Sequence, residues 1–200
     1  MPILGERHDE ERGFPVTNAP ARARRRVRAS GLATIEFALV LPILLLLVLG
    51  VIDLSRAIQF NNVLVHLTRE GANLAARTTE PPDYILRTLM STATPLTMNT
   101  DGMMYITKLV GEPDGRARVE EQYRPTVGGK RALGSTLWSC SGAWRADGSC
   151  TMPATRPIIS LTVPLLDGET VYAVESFYDY TLLTRYVIST DPRLYSLTIL

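Results

Sequence analysis

Apolar and polar positions are spread unevenly along this chain, and the imbalance begins at Leu32. From Leu32 to Ile52, 21 residues carry a single charge, Glu36. About 20 apolar residues at ~1.5 Å rise cross a ~30 Å hydrocarbon layer. A soluble helix of that length keeps a polar face, and this stretch has none. The pattern predicts a membrane-spanning helix over 32–53. Beyond Asp53 the pattern changes period. Leu54, Ile58, Leu64, Val65, Leu67, Ala72, Ala75 and Ala76 recur near helical spacing, between polar positions such as Arg56, Gln59, Asn62, Arg69, Glu70, Asn73 and Arg77. Pro81-Pro82 stops the run. Residues 54–80 are therefore the continuation of the helix outside the membrane, and 32–78 reads as one rod of about 70 Å. The outer half of this rod can pack against a globular domain or other helices, and Gly71, Ala72, Ala75 and Ala76 are small enough for close approach, Gly71 and Ala72 being candidates for subunit packing; the plainer alternative is an ordinary amphipathic stalk.

Residues 81–200 have a different texture. Pro82 to Thr94 carries Ile85, Leu86, Leu89 and Met90 on one face of a short helix that starts with Pro. Strands follow at Met103–Val110, Gly115–Tyr123 (with Ala117, Val119, Glu121 and Tyr123 alternating onto one face), Ile158–Val163 and Thr170–Tyr180. A fifth strand is expected at Leu182–Ser189, ahead of an apolar C-terminal run, Leu194–Leu200. The predicted fold class is α+β: a long N-terminal helix followed by a small antiparallel β domain.

Charge gives this layout an orientation. The whole chain has a net charge of +1, but residues 1–31 hold seven Arg against four acids. Arg22, Arg24, Arg25, Arg26 and Arg28 crowd just before the apolar run. Such a cluster beside a span stays in the cytoplasm, which leaves the C-terminal domain outside. The same cluster alone would fit nucleic acid, a partner that the adjoining span argues against. Cys140 and Cys150 then lie in an oxidising compartment, where a close pair is expected as a disulfide rather than as two free thiols. Trp138 and Trp144 beside them either pack inward or form an exposed contact patch.

The apolar run is too long for a cleavable secretory signal, and Ser55-Arg56-Ala57 is a poor cleavage site. A third reading uses more of the residues. Gly31 precedes the run, Glu36 is the fifth residue after it, and Phe37-Ala38-Leu39, Leu41-Pro42 and Asp53-Leu54-Ser55-Arg56 follow in order. This run resembles the TadE-like family, minor pseudopilins of the tight-adherence pilus system with type IV pilin-like precursors. The resemblance covers roughly residues 30–75. It implies a pilin-like architecture and a prepilin peptidase that cuts after Gly31. Residues 1–31 become a leader whose composition suits disorder, and Leu32 becomes the new N-terminus. It also implies that Glu36 meets the α-amino group of a neighbouring subunit, relieving two charges at once; the alternative is that Glu36 only snorkels to the headgroups. Phe37 and Pro42 fall on the same packing surface. Pro42 removes a helix hydrogen bond, and its kink either serves packing or is neutral.

The partners that the resemblance implies are the membrane, the prepilin peptidase, the major pilin, a companion pseudopilin and the tight-adherence assembly platform. The expected location is the inner, cytoplasmic membrane, with passage into the pilus after processing. No zinc spacing, phosphate loop or dinucleotide fingerprint occurs in the sequence. With only His8 and His66, no catalytic set assembles on paper. A non-enzymatic role without cofactors or metals is expected. The competing hypothesis is an uncleaved, single-pass anchor carrying a binding module.

Overall fold

The computed structural model describes residues 30–186 and 192–200. The Arg cluster from Arg22 to Arg28 and the body of the expected leader lie outside the described residues. Helix α1 runs Ser30–Arg77 and contains Pro42. The chain divides into two units after Pro42. In the first, every described side chain from Thr34 to Leu41 is exposed.

The second unit, residues 43–200, holds the remaining elements. Two short helices follow α1, namely α2 (Pro82–Thr92) and α3 (Met98–Asp101). The strands are β1 (Gly102–Gly111), β2 (Ala117–Tyr123), β3 (Ile158–Ile159), β4 (Thr170–Asp179) and β5 (Arg193–Ile199). They form one antiparallel sheet in the order β3-β2-β1-β4-β5. The fold class is α+β, as the hydrophobic pattern predicts.

β1 and β4 are central, and both are buried along most of their length on both faces. Their near-continuous apolar runs follow from being covered twice. On one face, Met104, Ile106, Val174 and Tyr178 pack against Phe60, Leu64 and Leu67 of α1 and the buried Ile85, Leu86, Leu89 and Met90 of α2. Burial of each large α1 side chain contributes about 2 kcal/mol. On the other face, the long 124–157 connection covers the sheet. Leu133 packs with Met103, Tyr105 and Phe177, and Leu137 and Trp138 pack beside Leu109, Val119 and Ala173.

Three sequence expectations are corrected. The alternation Ala117, Val119, Glu121, Tyr123 is broken by a bulge, because Lys108 pairs with Glu121 while Leu109 pairs with Val119. The extra residue, Glu120, turns Val119 and Ala117 to the loop-covered face while Tyr123 packs with the helices. The strand expected at Ile158–Val163 pairs only at Ile158 and Ile159, because beyond Ala117 its partner bends into the 112–116 turn, where the Arg116 carbonyl is taken by the Glu112 N–H. The strand expected from Leu182 is a 3-10 turn, Leu183–Tyr186, and β5 forms instead from the C-terminal apolar run. The cause of that turn lies on α1.

Candidate functional site

Asp53 is the last residue of the apolar run, yet it is buried. Its carboxylate collects four donors from a segment about 130 residues away. Oδ1 accepts the Leu183 N–H at 2.8 Å and the Tyr180 hydroxyl at 3.2 Å. Oδ2 accepts the Thr184 N–H at 2.9 Å and the Thr184 hydroxyl at 2.8 Å. Two successive backbone N–H groups converging on one carboxylate fold residues 183–186 into a turn, just as an acidic cap holds a helix start. A strand there would leave Asp53 buried without partners, which costs more than the strand returns. Burial pushes the Tyr180 phenol above its ordinary pKa, so it remains a donor.

One turn further along α1, the Arg56 guanidinium lies 5.6 Å from the ring centroids of both Phe60 and Tyr180. Phe60 meets Tyr178 and Tyr180 edge-on at 5.7 and 5.3 Å. Higher on the helix, the Thr68 hydroxyl is 2.9 Å from the Ser196 hydroxyl and 3.1 Å from that of Thr198, tying α1 to β5. Asp53, Arg56, Phe60, Leu64, Thr68 and Ala72 thus form one stripe at spacings of three and four, the face by which α1 grips its own domain.

Gly71 and Ala72 belong to that stripe. A Cβ added at Gly71 would lie 3.1 Å from Leu89 Cδ1 and 3.2 Å from Val174 Cγ1. The close approach foreseen from their size occurs within this chain, against α2 and β4, and both residues are buried. Gly31 and Leu32 lie in the first turns of α1. Glu36 and Phe37 are exposed, and Glu36 makes no hydrogen bond or ion pair among the described residues.

Cys140 and Cys150 form the expected disulfide, with Cα atoms 5.9 Å apart. Both tryptophans pack inward. Trp138 lies in the cluster around Val119, and Trp144 sits beside Tyr105 with Arg124 4.4 Å above its ring.

A second buried acid, Glu175 on β4, escaped the sequence reading. It is fully buried and accepts five donors. Oε1 takes the Thr136 N–H at 3.0 Å, the Thr136 hydroxyl at 2.6 Å, the Leu137 N–H at 3.2 Å and the Tyr195 hydroxyl at 3.1 Å. The Ser135 hydroxyl donates to Oε2. Its signal was available: an acid inside the apolar strand Val171–Phe177. Asp179, at the end of the same strand, is different. Burial pushes its carboxyl up, but Lys130 at 2.7 Å and Arg193 at 2.9 Å outweigh that and hold it below the usual range. On β2, burial and the Glu121 carboxylate push the Tyr123 phenol up to about 12.

On the loop-covered side of the sheet, Leu161, Val163, Leu165, Leu197 and Ile199 line an open apolar cleft of about 460 Å³. The geometry at Asp53 is suited to joining helix and domain and offers no reacting centre. The chain matches no curated protein and no solved structure. Residues 31–73, the part of α1 that carries Gly31, Glu36, Asp53 and Arg56, match the model of the family described as TadE-like protein, in agreement with the resemblance read from the sequence.

Proposed function

We propose that this chain is a minor pseudopilin that takes part in assembling a tight-adherence pilus or a related secretion machine. In this role a prepilin peptidase removes residues 1–31 on the cytoplasmic side, and Leu32 becomes the N-terminus. The apolar part of α1 anchors the protein in the inner membrane, and residues 81–200 stand outside. Glu36 then faces the new α-amino group of a neighbouring subunit, a major pilin or a companion pseudopilin. Phe37 and Pro42 contribute to the same contact at the assembly platform. The protein acts by packing, without catalysis.

The observation that carries this reading is the division of labour along α1. Phe37–Val48 is exposed and apolar throughout, while from Asp53 onward one face is committed to the domain. A helix that has already spent its upper face on its own domain has only its lower, apolar part free for neighbours and lipid. N-terminal sequencing of the membrane-bound protein is the direct test. Leu32 is expected where the peptidase works, and only the full-length precursor in a Gly31→Trp variant. Glu36→Ala is expected to enter the membrane and fail in assembly, and normal pili from that variant would remove the charge-pairing role. A second reading, an uncleaved anchor carrying a binding module, is favoured by the open apolar cleft beside β5. Recovery of Met1 at the N-terminus in a peptidase-positive strain selects it.

A further inference from the structure

Arg56 has donors to spare. The guanidinium rests on the rings of Phe60 and Tyr180, and it makes no hydrogen bond or ion pair with any of the described residues. The acid three positions before it offers no relief, because both Asp53 oxygens are occupied by Tyr180, Leu183 and Thr184. A half-buried guanidinium with five N–H donors and no acceptor of its own is suited to an external oxyanion.

Its level on the helix says which one. The exposed large apolar residues of α1 continue through Val51, Ile52, Leu54 and Ile58, with the exposed Ser55 among them. From Gln59 on, the exposed positions are polar: Gln59, Asn61, Asn62, His66 and Arg69. The change from apolar to polar surface falls within one turn of Arg56. On the domain side of the same level, the 3-10 turn pinned by Asp53 presents Leu183, 48% exposed, followed by the exposed Arg185. An apolar tip beside basic side chains, continuous with the apolar surface of a membrane helix, matches the headgroup layer of a bilayer.

We infer that Arg56 holds the phosphate of an anionic phospholipid in the leaflet facing the domain, while Leu183 dips into the same layer and fixes the domain close to the membrane. Asp53 makes this arrangement by folding the Leu183 turn down beside Arg56. Phe60 and Tyr180 keep the guanidinium from wandering, so less entropy is lost when it meets the phosphate. The inference rests on the reading of α1 as a membrane helix.

The test uses the full chain reconstituted in phosphatidylcholine nanodiscs that contain a trace of spin-labelled phosphatidylglycerol or, in parallel, spin-labelled phosphatidylcholine. The fraction of label immobilised at the protein is read. Phosphatidylglycerol is expected to be held about five-fold more strongly than phosphatidylcholine. Arg56→Gln is expected to erase the preference and Arg56→Lys to keep most of it. Arg56→Met keeps the apolar stem on Phe60 and Tyr180, and it serves if Arg56→Gln unfolds. Immobilised phosphatidylcholine without any preference for phosphatidylglycerol overturns the inference and leaves the membrane reading standing. No immobilisation of either lipid removes both. A preference that survives Arg56→Gln and Arg56→Met, or a dimer lost in those variants with lipid selectivity untouched, assigns the guanidinium elsewhere and also overturns it.

Discussion

Asp53 and Glu175 each gather hydrogen bonds from a segment remote in sequence, and they differ in what stands behind them. Asp53 projects from a helix that exists without it, since the apolar run and the stripe from Phe60 to Ala72 are sufficient reasons for α1 to form. It adds a clasp at one end of an assembled interface. Glu175 lies in the middle of β4, under the 124–157 connection, where few regular elements hold the chain. Its five donors come from Ser135, Thr136, Leu137 and Tyr195, so one carboxylate fastens both the covering loop and β5. Among the described residues neither acid has a cation as a hydrogen-bonding partner. Each is stabilised by converging N–H and O–H dipoles, which lose little freedom because the fold has already placed them.

That contrast orders the expected consequences of removing each acid. Glu175→Ala removes the shared acceptor of five donors and is expected to cost about 4 kcal/mol, with loss of loop cover from Met103, Tyr105 and Phe177. Urea titration of the detergent-solubilised chain measures the cost, and early proteolysis within 133–139 identifies the loop. Asp53→Ala is expected to cost less, about 2–3 kcal/mol, because it frees four donors rather than five and the apolar stripe of α1 still holds the helix to the domain. Proteolysis then appears at 180–186 while the sheet keeps its protection. If Asp53→Ala exposes the loop and the turn alike, the two acids belong to one cooperative unit and the contrast fails.

The helix was the most legible part of the chain. Its length, its end at Arg77 just ahead of Pro81-Pro82 and the buried face of α2 follow from local periodicity, which survives whatever the rest of the chain does. The sheet was legible as a set of strands, with one systematic gap. Leu182–Ser189 has strand-like composition, but a carboxylate 130 residues earlier claims the Leu183 and Thr184 N–H groups and makes a turn at Leu183–Tyr186, while 187–189 lie outside the described residues. A local pattern cannot register so distant an acceptor. The bulge at Glu120 escaped for a related reason. Alternation is read as strict, whereas the pairing partner decides where one residue is skipped. At the candidate site, Asp53 and Arg56 were visible as a polar exit from the span, but their partners Tyr180, Leu183 and Thr184 were not. Glu175 passes unread although it is an acid in an apolar strand, and only the fold supplies the loop that explains it.

The disulfide sharpens the comparison further. A closed loop of about ten residues contributes about 2.5 kcal/mol in the chain-entropy model. Cys140 and Cys150 flank the segment that covers the same face as the Glu175 loop, and the Cys150 N–H donates to the Gln122 carbonyl at 2.8 Å. Cys140→Ser/Cys150→Ser is therefore expected to be non-additive with Glu175→Ala and additive with Asp53→Ala. Measuring the stability of the three parent variants and the two combinations decides the point. Additivity in both pairs would mean that the loop is held in two independent pieces.

Asp179 supplies the weakest case and the one that isolates charge. It sits where β4 ends, beside the Tyr180 that serves Asp53, but its partners are the half-exposed cations Lys130 and Arg193. Those cations, acting against burial, hold its carboxyl below the ordinary range. A carboxyl with a lowered pKa in the folded state stabilises the fold above its unfolded value, and the contribution disappears as pH falls through the folded value. Exposed pairs of this kind are worth below about 1 kcal/mol. Asp179→Asn is expected to lower the urea midpoint slightly at pH 7 and to leave wild type and variant indistinguishable at pH 2. The gap at pH 7 should also narrow in high salt, since screened cations lose their hold on the carboxylate. A difference that persists at pH 2 would instead place Asp179 with Asp53 and Glu175, as an acceptor whose geometry matters more than its charge.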